Sequence, residues 1–287
     1  MPLVSVIIPT YQRLEFTQEA IESVLAQTFQ DFEIIVVFDG EDIRTVEHSK
    51  SRNSIKYYSR KHKGVSAARN FGVNVSFGKY IAFLDSDDLW DRRKLEKQLE
   101  YLTKLNEEPR RLASGSEPFR FCYTNEKWIR NGQHLNQLKK HQKYHGWIFD
   151  RCLPLCIISA SSIIMERAVF EALGGFDESL FVCEDYDLWL RMSLKYPIAF
   201  LDENLIIKRG GHADQLSKKY WGMDRFRIKA LEKLLKKELE PKETKLVMAE
   251  LESKYKILLI GSLKRKKIFS WLYYKLKQRL RMMRRPN

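Results

Sequence analysis

The sequence predicts an α/β fold: a mostly parallel sheet flanked by helices, followed by a helical, basic C-terminal extension. Three observations carry this. Apolar, β-branched runs alternate with helically spaced segments over the first hundred residues. Continuous apolar strands of that kind belong to parallel sheets covered on both faces. Polar residues rich in carboxylates follow several strand ends, where open α/β sheets bind ligands. Finally, residues 254–287 hold twelve Lys and Arg and no Asp or Glu. Most of the net charge of +14 therefore lies in the tail, and the body is nearly neutral.

In chain order, "LVSVIIP" (3–9) reads as a strand ended by Pro9, and "EFTQEAIESVLAQ" (15–27) as a helix with Phe16, Ala20, Ile21, Val24 and Leu25 on one face. "FEIIVVF" (32–38) is a second buried strand, stopped by Asp39-Gly40, and "IKYYS" (55–59) a short third. "VSAARNFGVNVS" (65–76) is a helix with Gly72 and Gly78 as end punctuation, and "KYIAFL" (79–84) a fourth strand. "DRRKLEKQLEYLTKL" (91–105) is an amphipathic helix with Asp91 as its N-cap. Beyond residue 110 the pattern loosens. "FRFCYTNEKWIRNGQH" suits a hairpin turning at Asn131-Gly132, "ERAVFEALGGF" (166–176) a helix closed by Gly174-Gly175, and "EDYDLWLRMSLK" (184–195) another helix. From Leu216 onward the chain reads as helical, divided by Pro241. The expected organisation is 1–110 and 111–215 as two halves of one domain, and 216–287 as the extension.

With 44% hydrophobic and 12% aromatic residues, the chain can bury a core. The stretch "CLPLCIISASSIIM" (152–165) is uncharged but too short for a bilayer, so it is expected in the core. The N-terminal residues lack the basic stretch of a secretory signal. Cys122, Cys152, Cys156 and Cys183 show no zinc or redox spacing. Reduced thiols in a cytoplasmic protein are the expectation.

"FLDSDDLW" (83–90) gathers Asp85, Asp87 and Asp88 directly after a buried strand. Like charges so close need a cationic neighbour. Hard oxygen ligands at a ligand-binding rim suit Mg²⁺ or Mn²⁺ bridging to substrate phosphates. Read from the residues alone, an equal alternative is that Asp85 and Asp88 cap backbone amides before the next helix. Glu184-Asp185 likewise opens a helix and favours its dipole. No Walker A or G-x-G-x-x-G motif is present, so no glycine loop cradles phosphate.

Together, "VSVIIPTYQR", "FEIIVVFDG", "GVSAARNFG", "YIAFLDSDDLW" and "EDYDLWLR" give the chain a resemblance to the family 2 glycosyltransferases of the GT-A type, over about three quarters of its length. The resemblance implies a Rossmann-like GT-A sheet, a nucleotide-sugar donor (a UDP-sugar), Mn²⁺ or Mg²⁺, and inversion at the anomeric carbon. It matches Thr10, Tyr11 and Arg13 to the loop against the nucleotide, and Asp39 to the carboxylate that accepts uracil N3–H. Asp85 and Ser86 match the ribose and diphosphate neighbourhood, and Asp87 the metal ligand. Asp185 matches the general base, and His212 a downstream histidine that approaches metal or diphosphate. Arg69 adds positive charge near the phosphates or sits solvated on the surface. Glu184 and Trp189 are placed on the acceptor and sugar side; Trp189, four residues after Asp185, reads either as core or as a stacking platform. Asp187 is expected to pair with Arg191. The chain departs from the family's usual pattern at Phe38-Asp39-Gly40-Glu41 and at Gln12. It also lacks a Gln-x-x-Arg-Trp motif, which argues for transfer of a single sugar rather than processive synthesis. A catalytically inactive scaffold of the same fold and a nucleotidyltransferase are the competing readings.

In the tail, Ile268, Leu272, Leu276 and Leu280 repeat every four residues, flanked by Phe269, Tyr273 and Met283, with Lys and Arg filling the remainder. This suits a helix lying on an anionic membrane surface through residues 262–287, near a lipid-linked or glycan acceptor. The alternative is a stripe packed on the protein itself. Nucleic acid is set aside, because charge alone is unspecific.

Overall fold

A computed structural model of the chain describes residues 1–40, 55–108, 116–212 and 220–283, with side chains to residue 280. Glu41, in the expected nucleotide loop, lies outside the described residues, as does Met283's side chain. The chain divides into two compact units, Met1–His212 and Ala213–Asn287.

The first unit is built on a nine-stranded sheet. Its strands are β1 (Val4–Thr10), β2 (Phe32–Asp39), β3 (Ile55–Arg60), β4 (Tyr80–Phe83), β5 (Leu89–Trp90), β6 (Phe121–Arg130), β7 (Gln133–Leu135), β8 (Ile163–Glu166) and β9 (Ala199–Gly210). The spatial order is β3-β2-β1-β4-β8-β6-β9-β5, with β7 on β6. Strands β3, β2, β1 and β4 pair in parallel, as expected. The other half is mixed: β8 runs antiparallel to both β4 and β6, β9 runs parallel to β6, and β5 antiparallel to β9. Sequence patterning did not give β8 or β9. Ile163, Ile164 and Met165 are fully buried, so β8 carries no alternation to read, only the uncharged run expected in the core.

The helices of this unit are α1 (Leu14–Leu25), α2 (Val65–Asn74), α3 (Lys94–Glu107), α4 (Phe149–Cys152), α5 (Arg167–Leu173) and α6 (Glu184–Lys195). Every residue of β1 and β2 is buried, which is why these strands read as unbroken apolar runs. Val4, Val6, Ile8, Ile34 and Val36 pack with Ala20, Ile21 and Val24 of α1 and Leu95 and Leu102 of α3. On the other face, α2 lies against β1 so closely that a Cβ at Gly72 would stand 2.4 Å from Ile7 Cγ2. Gly72 is thus a packing residue inside α2 and not end punctuation. Asp91 does not cap α3 at its first residue; it starts the preceding turn, its carboxylate accepting from Arg93 N–H and its carbonyl from Lys94 N–H.

The second unit comprises α7 (Asp224–Leu234), α8 (Pro241–Lys264) and α9 (Ile268–Met283). Pro241 sits in the first turn of α8, and Glu243 accepts from the Glu240 N–H. Glu232 of α7 accepts from Tyr255 of α8 at 2.7 Å and from Lys277 of α9 at 2.6 Å, tying the three helices together.

Candidate active site

Strands β1, β2 and β4 run in parallel, so their carboxyl ends deliver Tyr11, Asp39 and the Asp85–Asp88 turn to one rim. Each then meets a different set of partners.

Asp39 is 3% exposed and fastens the segment before α2. Its oxygens accept from the backbone N–H of Lys63 (3.0 Å) and Gly64 (2.7 Å) and meet His62 Nδ1 at 2.8 Å. The His62 ring stacks on Tyr11, centroids 4.4 Å apart. Gly40 completes this corner at φ +110°; a Cβ there would fall 2.9 Å from His62 Cβ. The Thr10 hydroxyl turns away and shares a 2.6 Å hydrogen bond with Thr17 of α1, leaving the exposed Tyr11 as the rim's aromatic face.

Asp87 Oδ2 accepts from Arg13 at 2.7 Å and lies 2.8 Å from His212 Nε2, so three expected site residues from distant parts of the chain converge. Arg209 Nε donates to the Asp87 carbonyl at 2.6 Å. Asp88 is a structural anchor: one oxygen accepts from Ser161 Oγ at 2.7 Å, the other from Arg209 N–H at 3.1 Å. Burial, with Asp87 and Asp85 beside it, raises the Asp88 carboxyl well above its usual range. Ser86 is 4% exposed.

Arg69 of α2 is buried, which corrects the surface alternative. It bridges two arms of the site, donating Nη2 to Asp85 Oδ1 at 2.6 Å and Nη1 to Glu184 Oε1 at 2.7 Å. Its guanidinium also lies over the Phe176 ring. The two carboxylates respond differently. Burial acts against ionisation of Asp85, but Arg69 outweighs it and holds that carboxyl low. Glu184, deeper and next to Asp185, is pushed up to about 7 by burial and by its neighbour's charge, against the pull of Arg69. The deeper carboxyl retains more of the desolvation penalty.

Cys183 precedes α6 in a left-handed conformation, φ 62°, uncommon for a residue with a side chain. From Val182 to Ser193 every residue is buried except Asp185, which stays partly exposed. Its Oδ1 accepts from Tyr186 N–H at 2.7 Å and its Oδ2 lies 3.3 Å from the Cys156 thiol. Trp189 is 1% exposed and packs edge-on against Phe176. It is therefore core, and its placement beside a sugar is corrected: no face of the indole is open. Asp187 pairs with Arg191 at 2.8 Å, one turn on.

The sequence reading missed a set of residues on the second half of the sheet. Lys208 on β9 faces Glu126, Asp88, Asp85 and Asp185; burial opposes its charge, but these carboxylates outweigh it and raise its pKa. Glu126 on β6 accepts from Ser159 at 2.7 Å and pairs with buried Lys143 at 3.2 Å. Burial works against its ionisation, yet Lys208 and Lys143 pull it down to about 2. The acidic cluster noted in the sequence is thus largely met by side-chain cations: Arg13 on Asp87, Arg69 on Asp85, and Lys208 facing Asp85 and Asp88. The only signal for Lys208 was a lysine directly after the apolar "LII".

Among the described residues, no group of three or more His, Cys, Asp or Glu could hold a metal ion. Asp87 and His212 nevertheless offer one carboxylate and one imidazole side by side. That donor set suits a Mg²⁺ or Mn²⁺ that completes its shell with water and substrate phosphate.

The model of the glycosyl transferase family 2 matches residues 5–165. An uncharacterized glycosyltransferase of Rickettsia bellii is 36% identical over 219 residues, 75% of this chain and 28% of that protein. The first such relatives are longer, and the chain spans about 28–32% of their length. An Escherichia coli relative, UDP-Glc:alpha-D-GlcNAc-diphosphoundecaprenol beta-1,3-glucosyltransferase WfgD, is 32% identical over 66% of this chain and 68% of its own length. Among solved structures, Staphylococcus aureus TarS 1–349 in complex with UDP-GlcNAc superposes with a TM-score of 0.74 at 19% identity, covering 96% of this chain and 79% of that one. The mannosyltransferase PcManGT from Pyrobaculum calidifontis, in complex with GDP-Man and Mn²⁺, gives 0.59 at 14% identity, covering 96% and 83%. These likenesses show a GT-A fold, and the family match is decisive: the chain belongs to glycosyl transferase family 2.

Proposed function

We propose that the chain is an inverting glycosyltransferase that moves one sugar from a UDP-sugar to an acceptor hydroxyl on a lipid-linked or surface glycan. The observation that carries this is the Asp85–Arg69–Glu184 bridge. One buried guanidinium joins the carboxylate turn at the end of β4 to the start of α6, where Asp185 is the partly exposed residue of a buried run. Tyr11 and Asp39 receive the nucleobase side of the donor, and Asp85 and Ser86 lie toward ribose and diphosphate. Arg13 supplies positive charge beside the diphosphate. Asp185 takes the acceptor proton as the hydroxyl oxygen attacks the anomeric carbon and the bond to UDP breaks, a single displacement that inverts the centre. Asp87 and His212 would hold a divalent ion, Mn²⁺ or Mg²⁺, whose charge would offset that of the diphosphate. The name of the Escherichia coli relative, with its UDP-linked donor and diphosphoundecaprenol-linked acceptor, supports the donor and acceptor classes.

The second unit supports an anionic membrane surface as partner and a peripheral, cytoplasmic-face location. Ile268, Phe269, Leu272, Tyr273, Leu276 and Leu280 of α9 are 51–90% exposed, which supports a stripe left open by the other helices of its own unit. Among the described residues no helix is long and apolar enough to cross a membrane. Residues 262–287 would therefore lie on a bilayer, with their Lys and Arg at the headgroups.

The test is a panel of nucleotide sugars assayed for hydrolysis and transfer with Mn²⁺, Mg²⁺ or chelator. Metal-stimulated turnover of a UDP-sugar is expected. No turnover of any donor, with no UDP binding by calorimetry, would overturn the reading.

A further inference from the structure

We propose that Cys156 is a positioning residue for Asp185, its thiol fixing the carboxylate oxygen that faces the acceptor. The inference rests on the reading of Asp185 as the base. Asp185 Oδ1 is held by its own helix, through Tyr186 N–H at 2.7 Å. Oδ2 has one partner among the described residues, the Cys156 sulfur at 3.3 Å. That sulfur also lies 3.2 Å from the Ile158 carbonyl, so its single proton is shared between two acceptors. A carboxylate gripped at one oxygen can still swing about its side-chain bonds; gripped at both, it is aimed. Misplacing a reacting group by about 1 Å can cost about 10²-fold in rate.

The choice of a thiol has a chemical consequence. A donor to the ionised carboxylate lowers its pKa, and a strong donor lowers it further. The S–H group is a weak donor, so it can orient a carboxylate while drawing only weakly on the lone pairs that take a proton. Burial and Asp185 together push the Cys156 thiol well above its usual range, so it stays protonated and able to donate at neutral pH. Among the described residues, the other titratable groups facing this pair are Glu184 on the same helix, Lys208 on β9, Lys143, and Cys183 beside the thiol.

The test compares full-length wild type with Cys156→Ala, Cys156→Ser and Asp185→Asn, reading kcat, donor KM, UDP affinity and the acid limb of kcat against pH. Cys156→Ala is expected to lower kcat about tenfold, the scale of one lost orienting hydrogen bond, with donor KM and UDP affinity unchanged. Cys156→Ser is expected to restore most of kcat and to move the acid limb to lower pH, because a hydroxyl donates more strongly. A wild-type kcat and acid limb in Cys156→Ala overturns the proposal. So does equal loss of kcat and UDP affinity, the mark of a merely structural role. Should Cys156→Ala fail to fold, Cys156→Ser decides: a downward shift of the limb supports the proposal and an unmoved limb overturns it. Full transfer by Asp185→Asn identifies a different failure, that of the base assignment itself.

Discussion

Opposite ends of the β1–β2 pair each bury a carboxylate group, in opposite electrostatic states. At the amino end, Glu33 accepts from Ser5 Oγ at 2.8 Å, Lys56 Nζ at 2.8 Å and Phe77 N–H at 2.6 Å. Burial opposes its ionisation, but these donors outweigh burial and leave its pKa below the ordinary value. At the carboxyl rim, Asp88 and Glu184 are pushed up by burial and by neighbouring carboxylates. The same sheet therefore settles its charges at one end and crowds them at the other. A closed cluster is what stability alone produces; a crowded one persists where the charges have another use.

The largest expected break in this comparison comes from Asp185→Asn. It should lower transfer by about 10²–10⁴ while leaving UDP affinity unchanged in calorimetry, because the base acts only as the acceptor proton leaves. Next is Arg69→Met, which strands Asp85 and Glu184 together. Urea denaturation should show a loss of about 3–5 kcal/mol, the scale of a broken buried ion pair. Glu33→Gln should cost less, about 1–3 kcal/mol, and spare donor binding, since it weakens only the settled end.

The pH dependence separates the two ends by sign. Glu184 titrates at about 7 in the folded chain against 4.5 unperturbed, so the native state binds more protons in between. Its contribution to stability falls as pH rises from about 4.5 to about 7, and Glu184→Gln should remove that slope. Glu33 is depressed, so its contribution is present above its unfolded value and lost as pH falls through the folded one. Urea midpoints should therefore separate the two variants by window: the difference from wild type changes between pH about 4.5 and about 7 for Glu184→Gln, and only below about 4.5 for Glu33→Gln.

The smallest effect is expected in the second unit. Leu272→Ser with Leu276→Ser should weaken co-sedimentation with anionic vesicles, and added salt should weaken what remains. Each Lys or Arg near the surface contributes only about 1 kcal/mol. Unchanged vesicle binding would sink the membrane assignment.

The donor-side rim was legible in the sequence because each of its carboxylates follows an unbroken apolar strand. Asp39 and Asp85 could be placed at strand ends without any knowledge of pairing. The second half was not. Glu126, Lys143, Ser159 and Lys208 form one neighbourhood, but they come from segments that run from residue 126 to residue 208. The β6–β9 pairing, irregular near Asn125, sets Lys208 near Glu126, and Lys143 and Ser159 reach Glu126 from the segment between β7 and β8. Arg69 was flagged, but its burial was invisible, since nothing local in "SAARN" shows that two acids arrive from residues 85 and 184. Of the two readings of Trp189, burial against Phe176 selects the core one; helical spacing from Asp185 alone could not choose between them.

Gly72 lies one turn beyond Arg69 on α2, with Ile7 Cγ2 where its own side chain would begin. A single methyl group at that position would lever the helix outward and carry the guanidinium with it. The turn after β4 and the start of α6 would lose their shared strut at once, although the added atom touches neither. The reach of the chemistry thus extends to an uncharged contact in the apolar core, where a catalytic survey of polar residues would never look.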